Sequence, residues 1–225
     1  MSKCSHFEGL LCAIERIDPQ ICTVKENETD SSKRKFINER SFAYELYRTW
    51  NNLRPRDLII NAEVTKKIER EEKEDNKFLK IAQEIFGKEV LWFQPDMVLH
   101  SGQEDSDQQE IICEIKVKTS LTKDNLKRDL KKLFAYTTNG CVLYHPFKQG
   151  VFILLGGHPE DIKGMLTQED MNQLVEYKNK IEKDCIRKGE EPPIVFLFVQ
   201  VGKNGLKICQ RTYGEIKKDV ENSLN

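Results

Sequence analysis

Apolar residues recur along this chain with two periods, and the alternation between them predicts its elements. Ile14, Ile17 and Ile21 sit at roughly helical spacing near the start, before a polar stretch over 25–32 that reads as an exposed loop. Phe42, Ala43, Leu46 and Trp50 share one face at about 100° per residue and predict a helix over 38–51, which Arg54-Pro55 ends. Residues 58–64 read as a short strand. Residues 69–86 read as a charged amphipathic helix, with Phe78, Ile81, Ala82, Ile85 and Phe86 on its apolar side and Gly87 at the C-cap position.

A β-hairpin is predicted at the centre: 90–100, an acidic turn over 102–107, then 110–118. A helix over 122–137 follows. Residues 141–144 and 151–155 read as a second strand pair, and 159–188 as a long polar helix with Pro159 at its first position. The chain closes with strands over 194–201 and 206–213 around Gly202-Lys203-Asn204-Gly205. There are no internal repeats. The pattern is α+β, a mixed central β-sheet flanked by helices.

Length and composition narrow the function classes. The 225 residues suffice for one large domain with embellishments. The expected division is an N-terminal extension over 1–35 packed on a single domain over 36–225. With 36 basic and 37 acidic residues the formal net charge is -1, which excludes a strongly basic nucleic-acid coat but leaves room for a local basic patch. No apolar run approaches the roughly 18 residues that cross a bilayer, and the first residues make no secretory signal. The seven cysteines are scattered, with no Cys-x-x-Cys pair and no histidine at zinc-finger spacing. They read as structural thiols in a reducing compartment, with the cytoplasm as the default location.

The second strand of the central hairpin carries the chemistry. Ile111, Cys113, Ile115 and Val117 point one way; Ile112, Glu114, Lys116 and Lys118 point the other. A hairpin closing near 101–109 sets Asp96, just after Pro95, across from Glu114, within cross-strand reach. Two carboxylates so close repel unless a positive charge sits between them. A hard divalent cation such as Mg²⁺ or Mn²⁺ answers that need and can stabilise charge on a phosphoryl oxygen. Lys116 alongside could orient a water molecule or stabilise developing negative charge. Against this stands the ordinary reading of Glu-x-Lys as a solvated cross-strand pair and of Pro-Asp as a turn.

Gln94-Pro95-Asp96-Met97-Val98, with Ile111-Ile112-Cys113-Glu114-Ile115-Lys116, resembles the PD-(D/E)XK nuclease superfamily, the restriction-endonuclease-like fold. The resemblance covers residues 36–157. It implies a Mg²⁺- or Mn²⁺-dependent nuclease acting on DNA, with Asp96 and Glu114 as metal ligands and Lys116 beside the water. Many members carry a further glutamate on a helix before the hairpin, and Asn38-Glu39-Arg40-Ser41-Phe42 looks like that segment. Glu39 shares a helical face with Phe42 and Leu46, where a carboxylate needs a partner. Glu45 lies at the edge of that face and reads as a surface charge near Arg48. Glu63, in Ala62-Glu63-Val64, also fits a position where the family's pattern can carry an acid.

The helix after the lysine resembles the one that follows the catalytic strand in this superfamily. Its basic residues, among them Lys123, Lys127, Arg128, Lys131 and Lys132, could lie along a phosphate backbone, although Asp124 and Asp129 interleave with them and such a run is often only a solvated face. Cutting both strands of a duplex would call for two active sites, hence a homodimer. Two rival readings stay open. One is a catalytically silent nuclease-fold module that binds nucleic acid or protein, and the other is a purely structural α+β protein.

Overall fold

The computed structural model describes residues 5–25, 35–62, 66–67, 92–93, 95–101, 109–138, 146–182, 193–203 and 205–223. Their elements in chain order begin with helices α1 (His6–Glu15) and α2 (Pro19–Cys22), then strands β1 (Thr23–Lys25) and β2 (Lys35–Ile37). Helix α3 (Glu39–Leu53) leads to β3 (Ile59–Ala62), β4 (Lys66–Lys67), β5 (Trp92–Phe93), β6 (Met97–His100) and β7 (Gln109–Val117). Helix α4 (Lys123–Thr137) is followed by β8 (Gln149–Leu155), α5 (Pro159–Met165) and α6 (Gln168–Glu182). Strands β9 (Ile194–Gly202) and β10 (Gly205–Thr212) precede the last helix, α7 (Tyr213–Asn222).

Six strands form the main sheet in the order β10-β9-β8-β7-β6-β3. The two pairings made by β8, with β7 and with β9, are parallel; the other three are antiparallel. The sheet is therefore mixed and the class α+β. Alternation along the strands sorts its two faces. Ile112, Phe152, Leu154, Phe196 and Phe198 pack with α4–α7 in one cluster. Ile111, Cys113, Ile115, Val151, Ile153 and Leu197 pack with α1 and α3 in the other. Covered on both faces, the inner strands are continuous apolar runs such as 151–155 and 194–199, as parallel strands usually are. Leu10, Ala13, Ile14, Ile17 and Cys22 belong to the second cluster, so the N-terminal segment supplies part of the core itself, while Ile21 is half exposed.

Several sequence expectations change here. Residues 90–100 do not make one strand: β5 pairs with β4 in a sheet of its own and β6 begins after Pro95, whose missing N–H cannot join a ladder. Strand β8 is no hairpin partner of 141–144, because β7 and β9 occupy both its edges; residues 141–144 themselves lie outside the described residues. The predicted helix over 159–188 breaks at Leu166-Thr167, where Asp170 accepts from the Thr167 backbone N–H at 2.8 Å and from its hydroxyl at 2.6 Å, starting α6. Helix α7 was not anticipated, although Thr212 and Glu215 form a capping box at its start. The expected helix over 69–86 and the acidic turn over 102–107 lie outside the described residues. Among the described residues no helix is long and apolar enough to cross a membrane.

Candidate active site

The site gathers where β6, β7, α3 and α4 meet. Met97 pairs with Cys113, Val98 with Ile112 and Leu99 with Ile111, so one step further along the same register Asp96 stands across from Glu114. A register shift between Leu99 and His100 leaves this end of the ladder untouched. Asp96 accepts the Ile115 backbone N–H at 2.6 Å, which ties the carboxylate to the neighbouring strand. Lys116 Nζ lies 3.5 Å from the same Asp96 oxygen, donates to the Ile115 carbonyl at 2.9 Å, and lies 3.7 Å from Asp129 Oδ2.

Glu114 points toward α4 and is 1% exposed. Lys132 donates to its Oε2 at 2.9 Å, while Oε1 is buried with no hydrogen-bond partner among the described residues. The same Lys132 Nζ sits 2.9 Å from Asp129 Oδ1. Asp129 is fully buried on the face of α4 that also buries Leu126, Leu130 and Leu133. Lys116 and Lys132 thus link three carboxylates in a chain that runs Asp96, Lys116, Asp129, Lys132, Glu114.

Glu39 completes the group from the first turn of α3, whose N-cap Asn38 accepts the Ser41 backbone N–H at 3.0 Å. Burial raises the Glu39 carboxyl above its usual range, and Asp96 and Asp129 add to this; Lys116 and the Val117 backbone N–H oppose it. Burial likewise pushes Glu114 up to about 8, against the pull of Lys132 and with Asp96 and Asp129 reinforcing the rise. Desolvation alone would lower the Lys116 ammonium, but the surrounding carboxylates outweigh it and hold its pKa above the ordinary value. With all four carboxyls ionised, four negative charges would face two ammonium groups, and the raised pKa values of Glu114 and Glu39 are the site's response to burial and to that imbalance. An open cleft of about 650 Å³ reaches two of these acids, Glu39 and Asp96, and is also lined by Ile115, Tyr44, Tyr47 and Asn61, while Glu114 and Asp129 lie buried behind them.

The other sequence candidates fall elsewhere. Glu45 pairs with Arg48 at 2.7 Å, its side chain 16% exposed and not a fully solvated charge. Glu63 lies outside the described residues. The basic face expected on α4 is divided: Lys127 donates to Asp170 and Gln173 of α6 at 2.9 and 2.7 Å, and Lys131 lies 5.3 Å from the Tyr177 ring centroid. Arg128 is exposed, with its Nε 3.8 Å from Asp129. No continuous stripe of free cations runs along the described helix, because α6 packs against it and takes up three of them, Lys123, Lys127 and Lys131. Asp129 and Lys132 had been read as part of a charged face. The signal for Asp129 was present, a carboxylate three residues after one buried leucine and four before another.

Among the described residues no three His, Cys, Asp or Glu side chains converge closely enough to hold a metal ion by themselves. No family model, curated protein or solved structure matches this chain.

Proposed function

We propose that this protein is a metal-dependent phosphodiesterase of the PD-(D/E)XK type, with a restriction-endonuclease-like fold, acting on DNA. The observation that carries the reading is four acids, Asp96, Glu114, Asp129 and Glu39, gathered around two lysines, with Glu114 Oε1 left unpaired, so that full ionisation leaves two negative charges unmatched. Buried like charges are unfavourable without compensation, and the deficit equals the charge of one divalent cation. Mg²⁺ and Mn²⁺ are bound through one or two carboxylates with the rest of the shell from water and substrate phosphates, so a preformed three-carboxylate cage is not required. Asp96 and Glu114 would hold the ion, which when bound supplies charge neutralisation at a phosphoryl oxygen.

The remaining work falls to the chain itself. The Ile115 N–H fixes Asp96, so one carboxylate is oriented before anything binds. Lys116, charged and held between the Ile115 carbonyl and two carboxylates, presents its ammonium where it can orient a water molecule or stabilise negative charge on the phosphate. Glu39, at the cleft wall with a raised pKa, is placed to accept a proton from water or to steady Lys116.

The engagement of Lys127 and Lys131 by α6 favours a second reading, a silent module of the same fold that binds a partner without cutting it. One assay separates the two: end-labelled single- and double-stranded DNA with Mg²⁺ or Mn²⁺, using wild type and Lys116→Ala. Cleavage by wild type that the variant loses supports the enzyme. No cleavage of either substrate by wild type favours the module.

A further inference from the structure

Lys132 stands 2.9 Å from a Glu114 oxygen and 2.9 Å from an Asp129 oxygen, with its side chain mostly buried. An ammonium shared evenly between two buried carboxylates fully neutralises neither. Asp129 has a second feature that calls for explanation. It is fully buried on an apolar helix face, and each of its oxygens faces an ammonium, Lys116 at 3.7 Å and Lys132 at 2.9 Å. Nothing in the packing of α4 requires a charge there; a leucine at that position would extend the face made by Leu126, Leu130 and Leu133. The acid has a use if its task is to hold lysines. Through its two oxygens it reaches both site lysines, Lys116 from one and Lys132 from the other.

We propose that Lys132 is an internal counter-ion that occupies Glu114 while the site lacks a divalent cation, and that Asp129 is the positioning residue that takes Lys132 over when a cation arrives. The inference rests on the metal-dependent reading above. A cation bound by Asp96 and by Glu114, whose Oε1 is unpaired, draws charge from the Glu114 carboxylate and so weakens the contact between Lys132 and Oε2. Because Asp129 is already at contact distance, the ammonium has a second anionic partner without crossing the site or entering water. Asp129 also keeps Lys116 in place by its other oxygen, so the two lysines are held to one anchor.

The test is Mn²⁺ binding to the full chain, read from the loss of the free-ion paramagnetic resonance signal, in wild type, Asp129→Asn, Lys132→Met and the double variant. Lys132→Met removes the competing ammonium, and about a tenfold tighter Mn²⁺ affinity is expected. Asp129→Asn is nearly isosteric and leaves Lys132 with Glu114 as its one anionic partner, so affinity falls about tenfold. In the Lys132→Met background the Asp129→Asn change has little to act on, and the double variant should bind within about threefold of Lys132→Met alone. If Asp129→Asn weakens Mn²⁺ by the same factor with and without Lys132, Asp129 acts as a plain charge and the relay is overturned. Should Asp129→Asn fail to fold, Lys132→Met decides: unchanged or weaker Mn²⁺ binding overturns the proposal. If wild type binds no Mn²⁺, with or without DNA, the metal-dependent reading falls and takes the relay with it. Intact binding with additive variants sinks the relay alone.

Discussion

Helix α4 sends Lys123 and Lys127 from its first turns to a single carboxylate, Asp170, whereas further along it offers Lys132 to Glu114 and buries Asp129 beside it. The central carboxylates of both are buried, and both clusters join α4 to a neighbouring element. At Asp170 two ammonium groups, the Thr167 hydroxyl and a backbone N–H converge on one acid. Burial alone would raise that carboxyl, but the donors outweigh it and hold it well below the usual range. At Glu114 acids outnumber cations, and the carboxyl rises to about 8. A satisfied cluster of this kind serves the fold, since every lone pair is used. An under-neutralised one stores unfavourable charge that something from outside can relieve, and perturbed carboxylates beside a cleft mark functional sites.

The comparison can be broken by substitution. The largest expected effect is on chemistry: Asp96→Ala or Glu114→Gln should reduce Mn²⁺-dependent DNA cleavage by about a thousandfold or more, measured as initial rates on labelled DNA. Lost cleavage with an unfolding transition no weaker than that of wild type would place the defect at the site and not in the fold. The next effect is on stability at the satisfied cluster. Asp170→Ala removes the common partner of two lysines and the carboxylate that holds the N-cap residue Thr167 of α6, and should destabilise by about 3 kcal/mol in urea unfolding. Because the folded pKa of Asp170 is depressed, its contribution is present above the unfolded value of about 3.9 and is lost as pH falls below it. Wild type and variant should therefore converge in stability in strong acid, and an unchanged gap at low pH would contradict the assignment.

The opposite sign is expected at the other cluster. Glu114 has a raised folded pKa, so its ionisation opposes folding; the penalty is absent below about pH 4.3 and complete above about pH 8. Without a divalent cation, Glu114→Gln should stabilise the protein by about 2 kcal/mol at pH 9 and have little effect near pH 4. Destabilisation at pH 9 would mean that the cluster is already neutralised. The smallest contrast lies along α3. Glu39→Gln should slow cleavage by about tenfold, whereas Glu45→Gln, which breaks only the pair with Arg48, should leave the rate within about twofold and stability within about 0.5 kcal/mol.

How far these features could be read from the sequence depended on whether they were local. The alternation of Ile111 to Lys116 and the distance from Pro95 set the register that puts Asp96 across from Glu114, because a hairpin's pairing follows from its closing point. Helices α3 and α4 were legible from apolar spacing and from Asn38 and Thr122 at their caps. The neighbours of β8 were not, since a parallel strand's partner is chosen by packing across the crossover helix α4 and not by the adjoining turn. The Lys132 bridge was hidden for the same reason: which lysine of a charged run reaches Glu114 is decided by how α4 lies on β7. The engagement of Lys127 and Lys131 by α6 was not legible, because α6 was expected as part of one longer helix. Asp129, Thr167 and Thr212 left local signals that went unread, a charge on an apolar face and two caps.

The central claim is that the site lacks the charge of one divalent cation, and calorimetric titration of the cation-free protein with Mn²⁺ tests it most directly. The account predicts one ion bound per chain in wild type, in the presence of DNA if not without it, and none in a variant carrying both Asp96→Ala and Glu114→Ala. Equal binding by wild type and the double variant, or no binding by wild type under either condition, would contradict it.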